Sequence, residues 1–246
     1  MTVLVNGCSF TEGLSLQSTE LAWPGQLGKL LNQPVVNLAL GGASNSRINR
    51  TTIEYLSINP TPELVIIGWT AIDRDELSYS QGQYLRLTSN DCLVDNKNEL
   101  PNDLGHIHKF WATELHNEYI NFRDWIYLIL HLQDYFKEKD IKFLFFLALG
   151  NNYIKEFVNE STTALYLANK SQQRRDQNYN LPCRKTSQYK ELYTLVNKID
   201  LSNWVFGNNN TMLEYLNKKK FSLDHTNHFK EDGHRHWAKI IYDNLL

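Results

Sequence analysis

Thr2-Val3-Leu4-Val5-Asn6-Gly7-Cys8-Ser9-Phe10-Thr11-Glu12-Gly13 is a short apolar, β-branched run that stops at a glycine. Such a run reads as a buried strand opening into a turn, with a helix due soon after. Leu21, Trp23, Leu27, Leu30 and Leu31 follow at helical intervals, Pro34 closes that segment, and Val35-Val36-Asn37-Leu38-Ala39 is a second apolar run. The unit is strand, helix, strand. It repeats: the pattern predicts a helix over 44–56 with Ile48, Ile53 and Leu56 inward, a strand over 64–68, a helix over 118–139 and a strand over 143–149. Continuous apolar strands alternating with helices imply an α/β protein whose parallel sheet is covered on both faces. Residues 78–100 alternate apolar and polar, which predicts a hairpin or ordered excursion, and the polar stretch 159–185, with Arg174-Arg175, predicts a surface insertion. A short last strand over 203–206, a helix over 212–220 and a C-terminal helix over 231–246 complete the pattern.

The composition fits that reading. With 246 residues, 42% hydrophobic and 21% charged, the chain can bury a sizeable core, which excludes collagen-like, low-complexity and disordered classes. Lys+Arg 25 against Asp+Glu 27 leaves a net charge of -2, so no excess of cations is available to neutralise a phosphate backbone, and no nucleic-acid partner is expected. Cys8, Cys92 and Cys183 suit neither a disulfide framework nor a paired-cysteine zinc site. The longest apolar run, 143–149, is about a third of the roughly 20 residues a membrane helix needs, and no charged leader with an apolar stretch is visible. A cytoplasmic location without membrane contact is therefore expected.

Ser9 sits where a buried strand ends and a helix begins, the place where open α/β sheets form their binding crevices. Its hydroxyl can point into the crevice while its backbone N–H, unpaired at the helix start, is free to donate to an oxyanion; alternatively Ser9 only caps the helix. Near the other end, Asp224-His225-Thr226-Asn227-His228 precedes the last helix. A serine nucleophile needs an imidazole within reach and a carboxylate to fix its tautomer, and His228 with Asp224 can supply both from one loop. His225, His228, His234 and His236 crowd together, yet they lack a His-Glu-x-x-His helical pair, so neither metal nor cofactor is expected. Gly7 to Gly13 lacks the lysine of a phosphate loop, and Ser9 lacks the Gly-x-Ser-x-Gly elbow of the α/β-hydrolases. Cys8 offers a second reading, a reactive thiol at a helix start.

These segments together resemble the SGNH (GDSL-type) hydrolases. The first block, Gly-Asp-Ser-Leu/Ile-Thr-x-Gly, is matched by Gly7-Cys8-Ser9-Phe10-Thr11-Glu12-Gly13 with Cys8 in place of the aspartate, which puts Ser9 on the nucleophile. The second block is similar to Asn37-Leu38-Ala39-Leu40-Gly41-Gly42-Ala43-Ser44-Asn45 and carries an oxyanion-hole N–H onto Gly42. The third block, normally Gly-x-Asn-Asp, is here Gly68-Trp69-Thr70-Ala71, so Thr70 stands where an asparagine donor is expected, with Asn45 or Arg74 as other candidate donors. The last block resembles the segment from Asp224 to His234, with His228 as base and Asp224, four residues before it, as its partner.

The resemblance implies a three-layer α/β/α sandwich with a flavodoxin-like parallel sheet of about five strands. Ser9 and His228 must meet across almost the whole chain, so residues 1–246 are expected to form one domain with insertions near 78–110 and 159–185. The implied activity is cleavage of an ester by a Ser9-His228-Asp224 triad, the oxyanion held by Ser9, Gly42 and Thr70 or Asn45. The substrate so implied is a small-molecule or carbohydrate ester, such as an O-acetyl or other short acyl ester, weakly charged at most. Trp69, Arg74 and Tyr79 are the candidate pocket residues if the 78–110 excursion folds over the strand ends. Two other readings share these residues: a non-catalytic module that binds carbohydrate or protein, and an acyltransferase using the same triad. The sequence leaves the oligomeric state open.

Overall fold

The computed structural model describes residues 2–80, 83–88, 92–94, 104–116, 118–149, 190–208 and 210–246. The polar stretch 159–185, with Arg174, Arg175 and Cys183, lies outside them. In chain order the elements are β1 (Val3–Asn6), α1 (Ser9–Glu12), α2 (Trp23–Leu31), β2 (Val35–Asn37), α3 (Asn45–Ile58) and β3 (Leu64–Trp69). Three further strands follow, β4 (Asp75–Ser80), β5 (Gln83–Leu87) and β6 (Cys92–Val94), then α4 (Leu104–Phe110), a π-helical turn over Trp111–Leu115 and α5 (Glu118–Glu138). The chain closes with β7 (Lys142–Leu147), α6 (Lys190–Val196), α7 (Met212–Lys218) and α8 (Glu231–Asp243).

The main sheet is parallel, with strand order β2-β1-β3-β7. Val3 pairs with Val35 on one side and Leu64 on the other, and Leu64 continues the row to Lys142. β1 and β3 are buried along their whole length, as continuous apolar runs in a two-sided sheet must be. Successive side chains of a strand face opposite ways, and β7 demonstrates the consequence. Phe145 meets Trp69 at 5.5 Å, Trp204 at 5.4 Å and Phe136 of α5 at 6.2 Å, while Phe146 meets Trp23 of α2 at 5.6 Å and Trp237 of α8 at 5.3 Å. α5, packed beside α3, thus covers one face, and α2, packed beside α8, covers the other, giving the three-layer α/β/α arrangement. Four strands form this sheet among the described residues rather than about five. At the fifth position Trp204 makes a single parallel bridge to Phe145, with 3-10 turns on both sides of it in place of a strand.

The 75–94 excursion is a small antiparallel sheet, β4-β5-β6. Along β5, Leu85 and Leu87 pack with Trp111, while Tyr84 and Arg86 lie on the alternate face. The guanidinium of Arg50 in α3 clamps this hairpin: it makes two 2.9 Å bonds to the Glu76 carboxylate and stacks 3.7 Å from the centre of the Tyr84 ring. Among the described residues, no helix is long and apolar enough to cross a membrane.

Candidate active site

Ser9 is the first residue of α1, a single turn ended by Gly13 in the left-handed conformation, whose N–H returns to the Ser9 carbonyl at 3.0 Å. At that first helical position the Ser9 N–H has no acceptor among the described residues. Two asparagines at strand ends hold the surroundings. Asn6 accepts the Gly7 N–H and reaches Ile48 O, Thr51 and Thr52 of α3, and Asn37 donates to Thr11 O at 3.2 Å. Gly68 makes room for α1, because a Cβ there would lie 2.9 Å from Thr11 Oγ1 and 2.5 Å from the Phe146 ring. Cys8, fully buried in the main core, is not placed as an exposed thiol.

Opposite Ser9 runs a tight turn closed by the Ala43 N–H donating to Leu40 O at 3.0 Å. Gly42, with φ of 72°, occupies the third position of this turn, where a type II geometry needs positive φ. Gly41 passes so close to α1 that a Cβ on it would be 3.2 Å from Glu12 Oε2 and 3.9 Å from Ser9 Cβ. Arg86 of β5 donates from Nη1 to the Gly41 carbonyl, and the Gly42 N–H has no acceptor among the described residues.

His228 comes from a tight loop between α7 and α8. Leu223 and Phe229 bridge its base, and the Asp224 N–H donates to His228 O at 2.8 Å. Asp224 Oδ1 gathers the rest: it accepts from Thr226 N and Thr226 Oγ1, both at 2.7 Å, and from His228 N at 3.1 Å. These bonds hold the Asp224 carboxyl well below the usual carboxylate range, the Thr226 hydroxyl contributing most. The His228 ring meets this carboxylate through an intermediary, since its Nδ1 lies 2.9 Å from Thr226 Oγ1. With the threonine hydroxyl donating to Asp224, its lone pairs face the imidazole Nδ1 and, at 2.7 Å, the Ser15 hydroxyl, which also bonds Asp224. That arrangement suits the tautomer protonated on Nδ1, which leaves Nε2 free to accept. Burial lowers the His228 pKa below the ordinary imidazole value and Arg74 adds to the shift, against the opposing charges of Asp224 and Glu12.

Ser9, Gly41, Gly42, Thr226 and His228 line one cleft of about 780 Å³, together with Phe10, Arg74, Arg86 and Leu213. The Phe10 ring flanks the imidazole at 5.1 Å between centroids. Other sequence candidates stand elsewhere. Thr70 is fully buried and Asn45 is 4% exposed, and the two are bonded to each other: the Asn45 amide accepts Thr70 N–H at 2.9 Å and donates to Thr70 O at 3.1 Å. Neither is among the residues lining the cleft, because Asn45 completes the backbone pairing of Thr70 beyond the end of β3. Trp69, fully buried against Phe145, is core and not pocket wall. Tyr79 belongs to β4, and its side chain lies outside the described residues. His234 is buried, accepts the Trp23 N–H on Nδ1 at 3.1 Å and is pushed down to about 4 by burial, while His236 stacks on Tyr215.

Thr226, Ser15 and Arg86 are the residues that sequence reasoning missed. A threonine between Asp224 and His228 was a visible signal; nothing local marked the other two.

Among solved structures the chain is similar to that titled "Crystal Structure of TesA", at 14% identity and a TM-score of 0.49 over 100% of this chain and 98% of the other. It is also similar to the acetyl xylan esterase AlAXEase, at 12% identity and 0.48 over 100% of both chains. A third is a member of the lipolytic protein G-D-S-L family from Veillonella parvula, at 10% and 0.43 over 99% of this chain and 97% of the other. No protein of curated function matches by sequence. A family model does match residues 2–164, a span that holds Ser9, the glycine turn and the four parallel strands of the described residues but ends before the His228 loop, and by that match the chain belongs to DUF6071, a family of unknown function.

Proposed function

We propose that the cleft is the active site of an SGNH-type serine hydrolase acting on short acyl esters. The observation that carries the reading is the placement of Ser9 and His228 in one cleft with the imidazole Nδ1 already occupied by Thr226. In this mechanism His228 Nε2 takes the Ser9 hydroxyl proton as Oγ attacks the ester carbonyl. The N–H groups of Ser9 and Gly42, both without acceptors among the described residues, receive the oxyanion. The proton on Nε2 passes to the departing alcohol, and water then releases the acyl group by the same steps. Asp224 stabilises the imidazolium through the Thr226 hydroxyl rather than by direct contact.

Steady-state hydrolysis of p-nitrophenyl acetate tests the proposal. Turnover by the wild type that falls by about a thousandfold or more in Ser9→Ala and in His228→Ala is expected. Undiminished hydrolysis in folded Ser9→Ala contradicts it.

A further inference from the structure

We infer that Arg86 is a positioning residue for the oxyanion site, aiming the Gly42 N–H by holding the other side of the same peptide group. The inference rests on the Ser9 and His228 reading above. No cis peptide bond occurs among the described residues, so the carbonyl of Gly41 and the N–H of Gly42 point in opposite directions from one plane. That plane is the central peptide of the 40–43 turn, the one part of a β-turn that its closing hydrogen bond leaves free to flip. Two glycines resist such a flip poorly. Arg86, a residue only 8% exposed, bonds the Gly41 carbonyl through its guanidinium and so selects one orientation of a peptide whose two glycines both line the cleft, the orientation that turns the Gly42 N–H away from Arg86. A cation on the carbonyl also withdraws electron density across the amide, making the N–H a stronger donor.

The placement is supported from behind. Arg86 lies on the same face of β5 as Tyr84, and that face is locked to α3 by the stacking of Arg50 on Tyr84 and the Arg50 to Glu76 bonds. The chain also has a use for such a residue. The side chain at the third-block position is Thr70, and the nearby amide of Asn45 is committed to the Thr70 backbone, so the backbone donors carry the oxyanion. A hairpin arginine that fixes one of those donors compensates for the absent asparagine.

Arg86→Gln and Arg86→Lys, each checked for folding by circular dichroism and thermal melting, are assayed with p-nitrophenyl acetate, and the Gly42 amide is followed in ¹⁵N-glycine-labelled protein. Arg86→Gln is expected to lower kcat by roughly 10- to 100-fold with KM within about twofold, Arg86→Lys to recover part of the loss, and the Gly42 resonance to shift in both. An unchanged kcat in folded Arg86→Gln overturns the inference, and so does a rise in KM alone, which makes Arg86 a substrate contact. If Arg86→Gln does not fold, the lysine variant carries the test: wild-type kcat together with an unmoved Gly42 resonance overturns the inference. If the wild type itself proves inactive on esters, the hydrolase reading fails, and the Gly42 resonance in Arg86→Lys alone decides whether Arg86 orients the turn.

Discussion

A hydroxyl between an imidazole and a carboxylate transmits charge stabilisation only while it can both accept and donate. Thr226 does both, taking the His228 Nδ1–H and giving its own proton to Asp224 Oδ1. Thr226→Val keeps the shape and removes the relay, so it is expected to cut kcat/KM by about tenfold to a hundredfold, whereas Thr226→Ser stays near wild type; ester hydrolysis measures both. Equal rates for the valine and serine variants would remove Thr226 from the mechanism. The acid limb of kcat/KM follows from the His228 environment. In the proposed mechanism the base must be neutral, and burial lowers the His228 pKa below the ordinary imidazole value, so the rate is expected to hold to lower pH than a free imidazole allows before it falls. A limb centred above the free-imidazole range contradicts this. Ser9, Gly42 and His228, which the fold brings to one cleft, each lie in a short ordered block that the sequence displays. Ser15 was not legible, since only the folded chain brings it to Thr226, 211 residues away.

At the scale of elements, the hairpin and the strand ends set the cleft. Arg50→Ala leaves the Glu76 carboxylate, whose side chain is 4% exposed, without its cation. With Arg50 itself a quarter exposed, the expected cost is about 2 kcal/mol, read by urea denaturation, with faster proteolytic cutting within 75–94. Gly68→Ala drives a methyl to 2.5 Å from the Phe146 ring and against Thr11, so a loss of about 1–3 kcal/mol is expected, with an unchanged midpoint arguing against the tight packing of α1 on β3. Most elements were legible because their signals are local: Ser44 caps α3 by accepting the Arg47 N–H, continuous apolar runs mark the strands of the main sheet, and apolar period 3.6 marks the longer helices. Trp69 shows where local reading stops. A tryptophan at a strand end suits a pocket or a core equally well, and only the register that pairs Trp69 with Leu147 and lays its ring against Phe145 settles which. Trp204 shows the same limit, because one bridge flanked by 3-10 turns looks, in sequence, like a short strand.

Over the whole molecule, α2 and α8 share one face of the sheet, and buried His234 joins them through the Trp23 N–H. That bond needs an unprotonated Nδ1. The folded pKa of about 4 lies below the ordinary imidazole value of 6.5, so the unfolded chain binds the proton more tightly; stability is complete above about 6.5 and declines as pH falls toward 4. A loss on the order of 3 kcal/mol over that range is expected from denaturation curves, much reduced in His234→Gln if that variant folds. The α/β class and the layering were readable from alternating apolar strands and helices, whereas the convergence of β1, the 40–43 turn, the β5 hairpin and the 222–230 loop on one cleft is a property of topology alone. Fluorophosphonate labelling with peptide mapping reads that convergence chemically. Label on Ser9 of the folded wild type, absent in Ser9→Ala and strongly slowed in His228→Ala, is expected; no label on the folded protein, or label that survives Ser9→Ala, would rule out Ser9 as the nucleophile of this cleft.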